Sequence, residues 1–216
     1  MSAKNKKIAI IDYQMSNMFS VDNALKLLGF QTEITSDKSV IMSADGVVLP
    51  GVGAFKEAMH QLKKLNLIKP IHDFIESGKP FMGICLGLQL LFTESEEFGK
   101  TPGLDIIKGK VEALSNQKSV QRVPHVGWNN ISKQNSNRKS VKIDPLRDVK
   151  DGSYLYFVHS FYVNPAEKDV VSTTTEYDGF SFCSSVLRDN IFACQFHPEK
   201  SGPVGFKILK DFFDGN

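Results

Sequence analysis

Short apolar runs that alternate with helical patterns are the feature that most limits how this chain can fold. The runs lie at residues 7–12 (KIAIID), 46–49 (GVVL) and 81–84 (FMGI). Apolar residues at helical spacing follow the first two runs, over residues 18–28 and 54–65. Continuous apolar runs of this length are typical of parallel strands that are buried on both faces. The pattern therefore predicts an open α/β fold with a doubly wound, mostly parallel sheet.

The carboxyl edge of that sheet is where functional residues are expected. Ligands of open parallel sheets bind outside the carboxyl ends of the strands. Asp12, the glycine-containing segment 51–53 and Cys85 each lie at the end of one of the apolar runs. These residues, although far apart in the sequence, should therefore meet at one edge of the sheet.

The second half of the sequence is rich in β-forming residues and is interrupted by glycine, asparagine and polar runs. It predicts mixed or antiparallel strands added to the parallel sheet. The polar segment 133–140 is predicted to be a solvated loop, and residues 205–213 a closing helix. No internal repeat or linker divides the sequence, so we expect a single domain over residues 1–216. The strands of this half are predicted at residues 106–114, 122–131, 154–163, 170–175, 182–186 and 191–196.

Composition excludes several classes of function. The chain is 41% hydrophobic and 23% charged, and its net charge of +2 gives no electrostatic reason to expect nucleic acid or an anionic membrane as a partner. The first apolar run is too short for a signal peptide or a membrane span. The cysteines, Cys85, Cys183 and Cys194, are odd in number and lack metal-type spacing, which suits a reducing compartment. We expect a cytoplasmic protein that needs no metal and no cofactor.

Cys85 lies in a sequence typical of a nucleophile elbow. Gly83 and Gly87 flank it at a distance of two residues, and Leu86 begins a run of good helix formers. Such a strand-to-helix turn exposes its central side chain, and the helix N-terminus favours the reactive thiolate. The backbone N–H of Leu86 would be one donor of an oxyanion hole. The alternative is that Cys85 is a small hydrophobe buried in a structural junction.

A cysteine nucleophile needs a base within hydrogen-bond reach. His197 follows an apolar run, and Glu199 lies two residues further on, where its carboxylate can orient the imidazole. The alternative for this H-P-E segment is a capped strand end with a surface acid. His159 is the fallback base, although a structural role is favoured for it. His60 and His72 lie next to charged residues on predicted helices and are expected to be solvated.

The segment GICLGLQLLF, followed over 100 residues later by QFHPEKS, resembles the class I, triad-type glutamine amidotransferases. The resemblance covers nearly the whole chain. It implies a flavodoxin-like sheet and a glutaminase that hydrolyses L-glutamine through a thioester, with Cys85 as nucleophile, His197 as base and Glu199 as orienter. It also implies oxyanion donors at Val52, Gly53 and Leu86, and substrate contacts at Gly51, Gln89, Glu97 and Ser160.

Within that family, DYQMSN, PGVGAF, VPHVGWN and YFVHSFYV resemble segments of the glutaminase subunits of imidazole glycerol phosphate synthase, an enzyme of the histidine pathway. This resemblance implies a heterodimer with a cyclase subunit, a (β/α)₈ barrel that uses the ammonia to make imidazole glycerol phosphate and AICAR. The docking face would carry Asn17, His125, Trp128 and Lys200. Trp128 is expected to be an interface anchor, with a place in the core as the alternative.

One departure from the subfamily leaves the ammonia acceptor open. Gln14 and Ser16 stand where the relatives usually carry glycine. The main alternative is therefore the same glutaminase chemistry serving another amidotransferase, such as one that forms amidine groups on bacterial surface sugars. An inactive binding subunit, or a cysteine hydrolase with a different substrate, would belong to another class. All three triad residues are present, which favours an active glutaminase.

Overall fold

The computed structural model describes residues 6–15, 18–134, 141 and 143–215. Within these residues, none of the helices has both the length and the apolar character needed to cross a membrane. The helices are α1 (Met18–Leu27), α2 (Lys38–Ser43), α3 (Phe55–Lys64), α4 (Ile68–Glu76), α5 (Leu86–Leu90) and α6 (Gly202–Asp214).

The strands form one large sheet and one small antiparallel ribbon. The N-terminal strands of the large sheet are β1 (Lys7–Ile11), β2 (Gln31–Thr35), β3 (Gly46–Gly51) and β4 (Phe81–Cys85). The ribbon consists of β8 (His125–Asn130) and β10 (Tyr154–His159). The other strands are β5 (Phe92–Ser95), β6 (Thr101–Pro102), β7 (Ile107–Ala113), β9 (Ser132–Lys133), β11 (Phe161–Pro165), β12 (Val171–Tyr177), β13 (Phe180–Arg188) and β14 (Ile191–Cys194).

The topology of the large sheet confirms the predicted fold class. Its order is β2-β1-β3-β4-β14-β13-β11-β7-β5-β6, and β12 pairs with β13. The first five strands of this order run parallel to one another, whereas β13 and β11 are added antiparallel. The insertion of β14 beside β4 brings the last strand of the chain next to the strand that ends at Cys85.

Side chains of β1 show why the parallel strands are continuously apolar. Ile8 and Ile10 belong to the core that also contains the buried faces of α1 and α6. Ala9 and Ile11 point to the opposite face, into the core formed with α3 and α4. Because successive strand residues face opposite sides of the sheet, a sheet covered by helices on both sides requires apolar residues at every position.

Several elements differ from the predictions. The helix after Cys85 is only five residues long. The carbonyls of Leu90 and Leu91 accept hydrogen bonds from the backbone N–H groups of residues 104, 106 and 107, and the chain then enters β5. The predicted strand at 154–163 is divided at Ser160 into β10 and β11. Of the predicted polar loop, Lys133 lies in β9 and residues 135–140 fall outside the described residues. Elements α2, β5, β6 and β9 were not predicted, whereas β2 and α4 agree with a strand expected at residues 31–34 and a helix expected at residues 70–77.

Candidate active site

The strand ends bring the predicted site residues together at one edge of the sheet. In the parallel pairing of β3 and β4, Gly51 lies beside Cys85. In the pairing of β14 and β4, Cys194 lies beside Ile84, so His197 emerges at the same edge only three residues later. The convergence of Cys85 with the PGVG segment and with the H-P-E segment is therefore a consequence of strand order.

Cys85 has the backbone geometry of a nucleophile elbow. Its φ of 55° and ψ of −109° are rare for a residue with a side chain and cost on the order of 1–3 kcal/mol. The flanking glycines are required by close approach: a Cβ on Gly87 would overlap the carbonyl oxygen of Leu49, and one on Gly83 would lie 2.9 Å from the carbonyl oxygen of Gly87. The sheet and α5 thus hold the cysteine at a sharp turn.

His197 and Glu199 form a buried, hydrogen-bonded pair. The Nδ1–H of His197 donates to Oε1 of Glu199 at 2.8 Å, and the two side chains are only 5% and 3% exposed. The backbone N–H of His197 donates to the carbonyl oxygen of Tyr156, and the Ser201 hydroxyl donates to the His197 carbonyl oxygen. These bonds fix the ring, leaving its Nε2 as the nitrogen available to the nucleophile.

The charges around His197 favour its protonated form. Burial alone lowers the pKa of His197, but Cys85 and Glu199 more than offset this effect and raise the pKa well above its usual value. Its Nε2 is buried and, among the described residues, lacks a hydrogen-bond partner at normal distance. The arrangement suits an imidazolium that stabilises the Cys85 thiolate and can later donate its proton.

The ring nitrogens of His159 make structural hydrogen bonds and are not available to the cysteine. Its Nδ1–H donates to the carbonyl oxygen of Phe161 at 2.9 Å, so its Nε2 is the acceptor for Nδ1–H of His125, also at 2.9 Å. Burial lowers the pKa of His159 to about 3. With both nitrogens occupied and no charge at neutral pH, His159 lacks the free basic nitrogen that a catalytic base needs.

The structure places His125 inside the protein, although the resemblance had placed it on a docking face. Its ring is 3% exposed and stacks between Phe157 and Tyr177, with ring centres 5.0 and 4.1 Å away. Burial lowers the pKa of His125 to about 4. Its side chain has almost no surface to offer a partner, and it lies on the opposite face of β8 from Trp128.

A cavity of about 270 Å³ opens beside Cys85. Its volume suits an amino acid better than a peptide. It is lined by Val52, Gly53, Cys85, Leu86, Gln89, Glu97, Pro124, Val158, His159, Ser160 and Phe161.

Gln89 and Glu97 each have part of their polar groups engaged within the protein. The Nε2 of Gln89 donates to the Phe161 carbonyl oxygen and to Oε1 of Gln195, both at 3.1 Å. Oε2 of Glu97 accepts from the backbone N–H of Phe55 at 2.7 Å, at the start of α3. Among the described residues, these bonds leave the carbonyl oxygen of Gln89 and Oε1 of Glu97 for a ligand, and both are acceptors.

The two arms of the predicted oxyanion hole differ in orientation. Leu86 is the first residue of α5, where backbone N–H groups have no acceptor within the helix. The N–H of Val52 instead donates to the carbonyl oxygen of Met15 at 3.1 Å. Gly53 has a φ of 104° and lines the cavity. In this conformation, therefore, the Val52 N–H is turned to the loop after β1.

Of the remaining predicted residues, the structure describes Trp128, Lys200 and Ser160. Trp128 is 56% exposed on the ribbon, so the alternative of a core tryptophan is wrong. Lys200 is exposed, and its Nζ lies 5.9 Å from the centre of the Tyr156 ring. Ser160 is half-buried between β10 and β11, and Asn17 lies outside the described residues. Within those residues, His, Cys, Asp and Glu side chains do not cluster in a way that could hold a metal ion.

Sequence reasoning missed Gln195, whose fully buried amide lies between Cys85 and Gln89. Its signal was present as a polar residue inside the apolar run IFACQF.

Comparison with known proteins identifies the family. Residues 9–215 match the family described as glutamine amidotransferase class-I. The chain therefore belongs to the class I glutamine amidotransferases. It is 49% identical over 207 residues to the imidazole glycerol phosphate synthase subunit HisH of Caldanaerobacter subterraneus subsp. tengcongensis, covering 95% of this chain and 96% of the relative. The subunit of the same name from Syntrophotalea carbinolica is 48% identical over 211 residues, covering 96% and 99%.

The fold is shared much more widely than the sequence. The solved structure of PurLQS from Thermotoga maritima superimposes with a TM-score of 0.70 at 17% sequence identity, covering 97% of this chain and 98% of that one. At this level of identity the likeness concerns the fold alone.

Proposed function

We propose that this chain is the glutaminase subunit of imidazole glycerol phosphate synthase, a cytoplasmic enzyme of histidine biosynthesis. It hydrolyses L-glutamine to glutamate and ammonia at Cys85, and it delivers the ammonia to a cyclase subunit with a (β/α)₈ barrel. The observation that carries the proposal is the buried pair of His197 and Glu199 behind Cys85, beside a small cavity that Gln89 and Glu97 line. The near full-length similarity to two HisH subunits supports the particular pathway.

The proposed reaction begins with the Cys85 thiolate and the His197 imidazolium. The thiolate adds to the side-chain carbonyl carbon of glutamine, and the oxygen becomes an oxyanion that accepts from the Leu86 N–H. His197 donates its proton to the amide nitrogen, the C–N bond breaks, and ammonia leaves a thioester. Neutral His197 then removes a proton from water, which attacks the thioester. Collapse of this second oxyanion releases glutamate and restores the thiolate.

The acceptors at the cavity favour an amino acid over other amides. The free carbonyl oxygen of Gln89 and the free oxygen of Glu97 can each accept from the α-ammonium group of glutamine, or from its amide N–H₂. A charge-assisted bond to Glu97 would discriminate against a peptide-bound glutamine, which lacks that ammonium group.

A docking face for the partner lies directly beside the site. In the antiparallel register Trp128 pairs with Tyr156, and Val126 with Val158, so these four side chains share one face of the ribbon. Val126 and Trp128 are each 56% exposed, and Tyr154 on the same face is 59% exposed. Val158 also lines the cavity. An exposed aromatic and apolar face next to the catalytic cavity is what a subunit that hands over ammonia requires.

The docking face predicts which substitutions weaken the complex. We expect Trp128→Ala to weaken binding of the cyclase subunit by about 30-fold or more, as for a central aromatic anchor. Lys200→Ala should have a smaller effect, because a charge at the rim of an interface contributes little. Affinity is measured by titration calorimetry and folding by circular dichroism. Leu27→Ala is the control, since Leu27 is 77% exposed at the far end of α1. Unchanged affinity in both Trp128→Ala and Lys200→Ala would place the interface elsewhere.

The orientation of the Val52 N–H predicts that the partner stimulates hydrolysis. Turning this N–H from Met15 to the cavity would add a second oxyanion donor, which typically lowers the barrier by about 2.7–4 kcal/mol. The loop that holds Met15 also contains Gln14 and lies at the same edge of the sheet as Cys85. We expect the cyclase subunit to raise the glutaminase rate about 10²- to 10³-fold, measured as glutamate formed. Equal rates with and without the partner would contradict this expectation.

The same mixture tests the ammonia acceptor. With glutamine labelled in its amide nitrogen, the cyclase subunit should form labelled imidazole glycerol phosphate even when unlabelled ammonium is in excess. Stimulated hydrolysis without labelled product would leave the glutaminase intact but assign it to a different amidotransferase.

A further inference from the structure

Gln195 is a polar side chain with no exposed surface, and it contacts the nucleophile. It follows β14 directly and is 0% exposed. Its Nε2 lies 3.6 Å from Sγ of Cys85, and its Oε1 lies 3.1 Å from Nε2 of Gln89. Burying an amide is costly unless its groups find partners. The partners of this amide are the sulfur and a residue of the cavity.

The orientation of the Gln195 amide is fixed by a chain of hydrogen bonds. The carbonyl oxygen of Phe161 can only accept, so the group of Gln89 that faces it must be the N–H₂. The second hydrogen of that N–H₂ requires an acceptor, which is Oε1 of Gln195. The N–H₂ of Gln195 is therefore the group that faces the sulfur, as a donor.

The groups around Sγ of Cys85 interact differently with the thiol and with the thiolate. The carbonyl oxygen of Val158, 3.8 Å away, can accept from the thiol but offers nothing to a thiolate. The N–H of Gln195 donates best to a thiolate, because hydrogen bonds to a charged acceptor are the stronger ones. Gln195 thus stabilises the reactive form and restrains its direction, without adding a charge that would compete with His197.

We propose that Gln195 is a positioning residue that holds the Cys85 thiolate in place and, through the same amide, orients Gln89 so that its carbonyl oxygen faces the substrate. One buried side chain then sets both the nucleophile and a substrate-binding group. The inference rests on the proposed role of Cys85 as the nucleophile.

Alkylation of Cys85 by iodoacetamide measures this effect without glutamine. The assay uses the full chain, and mass spectrometry resolves the adduct at each cysteine as pH is varied. In Gln195→Met, which keeps the length but lacks the donor, we expect alkylation of Cys85 to slow about tenfold at pH 7. Its pH profile should move to higher pH. Gln195→Glu, which adds a negative charge beside the sulfur, should move the profile further. In the complex, the glutaminase kcat of Gln195→Met should fall more than KM rises.

The control and the outcomes separate this inference from the proposed function. Thr175→Val removes a buried hydroxyl on β12, outside the cavity, and should leave the profile unchanged. Thermal unfolding checks that each variant is folded. If Cys85 of the unmodified protein reacts no faster than buried Cys183, the nucleophile itself is wrongly assigned. A normal profile in a folded Gln195→Met or Gln195→Glu protein would overturn the role of Gln195 alone. Failure of both variants to fold would make Gln195 a structural residue instead.

Discussion

Cys85→Ala should abolish the glutaminase activity of the complex, with a loss of at least about 10⁴-fold in kcat. The substitution removes the only sulfur at the elbow, and water alone would then have to attack an amide. Rates are measured as glutamate formed, and binding of the cyclase subunit should persist because Cys85 is buried and is not one of the proposed docking residues. In the unmodified protein, an electrophilic glutamine analogue should form an adduct at Cys85, identified by peptide mass spectrometry.

The other cysteines provide matched controls for this prediction. Burial raises the pKa of Cys194 well above its usual value, so this residue remains an unreactive thiol. Cys183 is also buried, and its thiol donates to the carbonyl oxygen of Ser185. Cys183→Ala should therefore keep full activity and full labelling. An adduct at another residue, or activity that survives in Cys85→Ala, would contradict the assignment.

His197→Asn should lower kcat by about 10⁴-fold, because the base and the proton donor are lost together. Glu199→Gln should lower kcat less, by about 10²-fold. The glutamine can still accept from Nδ1–H through its carbonyl oxygen, but it no longer stabilises the imidazolium with a charge. KM for glutamine should change little in both variants, since neither side chain lines the cavity. Steady-state kinetics of the complex measure both parameters.

His159→Asn is the complementary test of the assignment of His197 as the base. Both nitrogens of His159 are engaged with Phe161 and His125, so its replacement should lower the melting temperature and reduce activity only modestly. Comparison of kcat at a temperature where all variants are folded separates these effects. If His159→Asn were inactive and His197→Asn active, the two histidines would have been assigned in reverse.

The parallel half of the fold was predictable because burial on both faces leaves a strong signal. Strand β1 must be apolar at successive positions to fill two cores, and the same holds for β3 and β4. The early end of α5 was not predictable. Leu90 and Leu91 are good helix formers, and the helix stops there because their carbonyl oxygens accept hydrogen bonds from the backbone N–H groups of residues 104, 106 and 107. A local sequence pattern carries no information about such competition between local and distant hydrogen bonds.

The site shows the same division. Cys85 and His197 could be found because each follows an apolar strand within a short motif. The orientation of the Val52 N–H could not be predicted, because it depends on a hydrogen bond from this peptide group to the loop after β1. The burial of His125 could have been found: it lies three positions before Trp128 in one strand, and an odd separation puts two side chains on opposite faces.

The departure at Gln14 has a physical meaning in the structure. Its φ is 66°, in the left-handed region that glycine adopts without strain. The backbone N–H of Gln14 donates to Oδ1 of Asp12 at 2.8 Å, which helps to hold this turn. A glycine, which the resemblance implies at this position, would adopt the same φ without strain, so Gln14 differs from it in presenting a side chain at the turn.

The ribbon of β8 and β10 connects the proposed docking face with the catalytic site. Its outer face carries Trp128, and its Val158 carbonyl lies 3.8 Å from the sulfur of Cys85. If docking shifts this ribbon, the cyclase subunit changes the affinity for glutamine by some factor. Glutamine must then change the affinity for the cyclase subunit by the same factor. A titration of one ligand in the presence of the other therefore reports the coupling free energy from either direction, and the two values must agree.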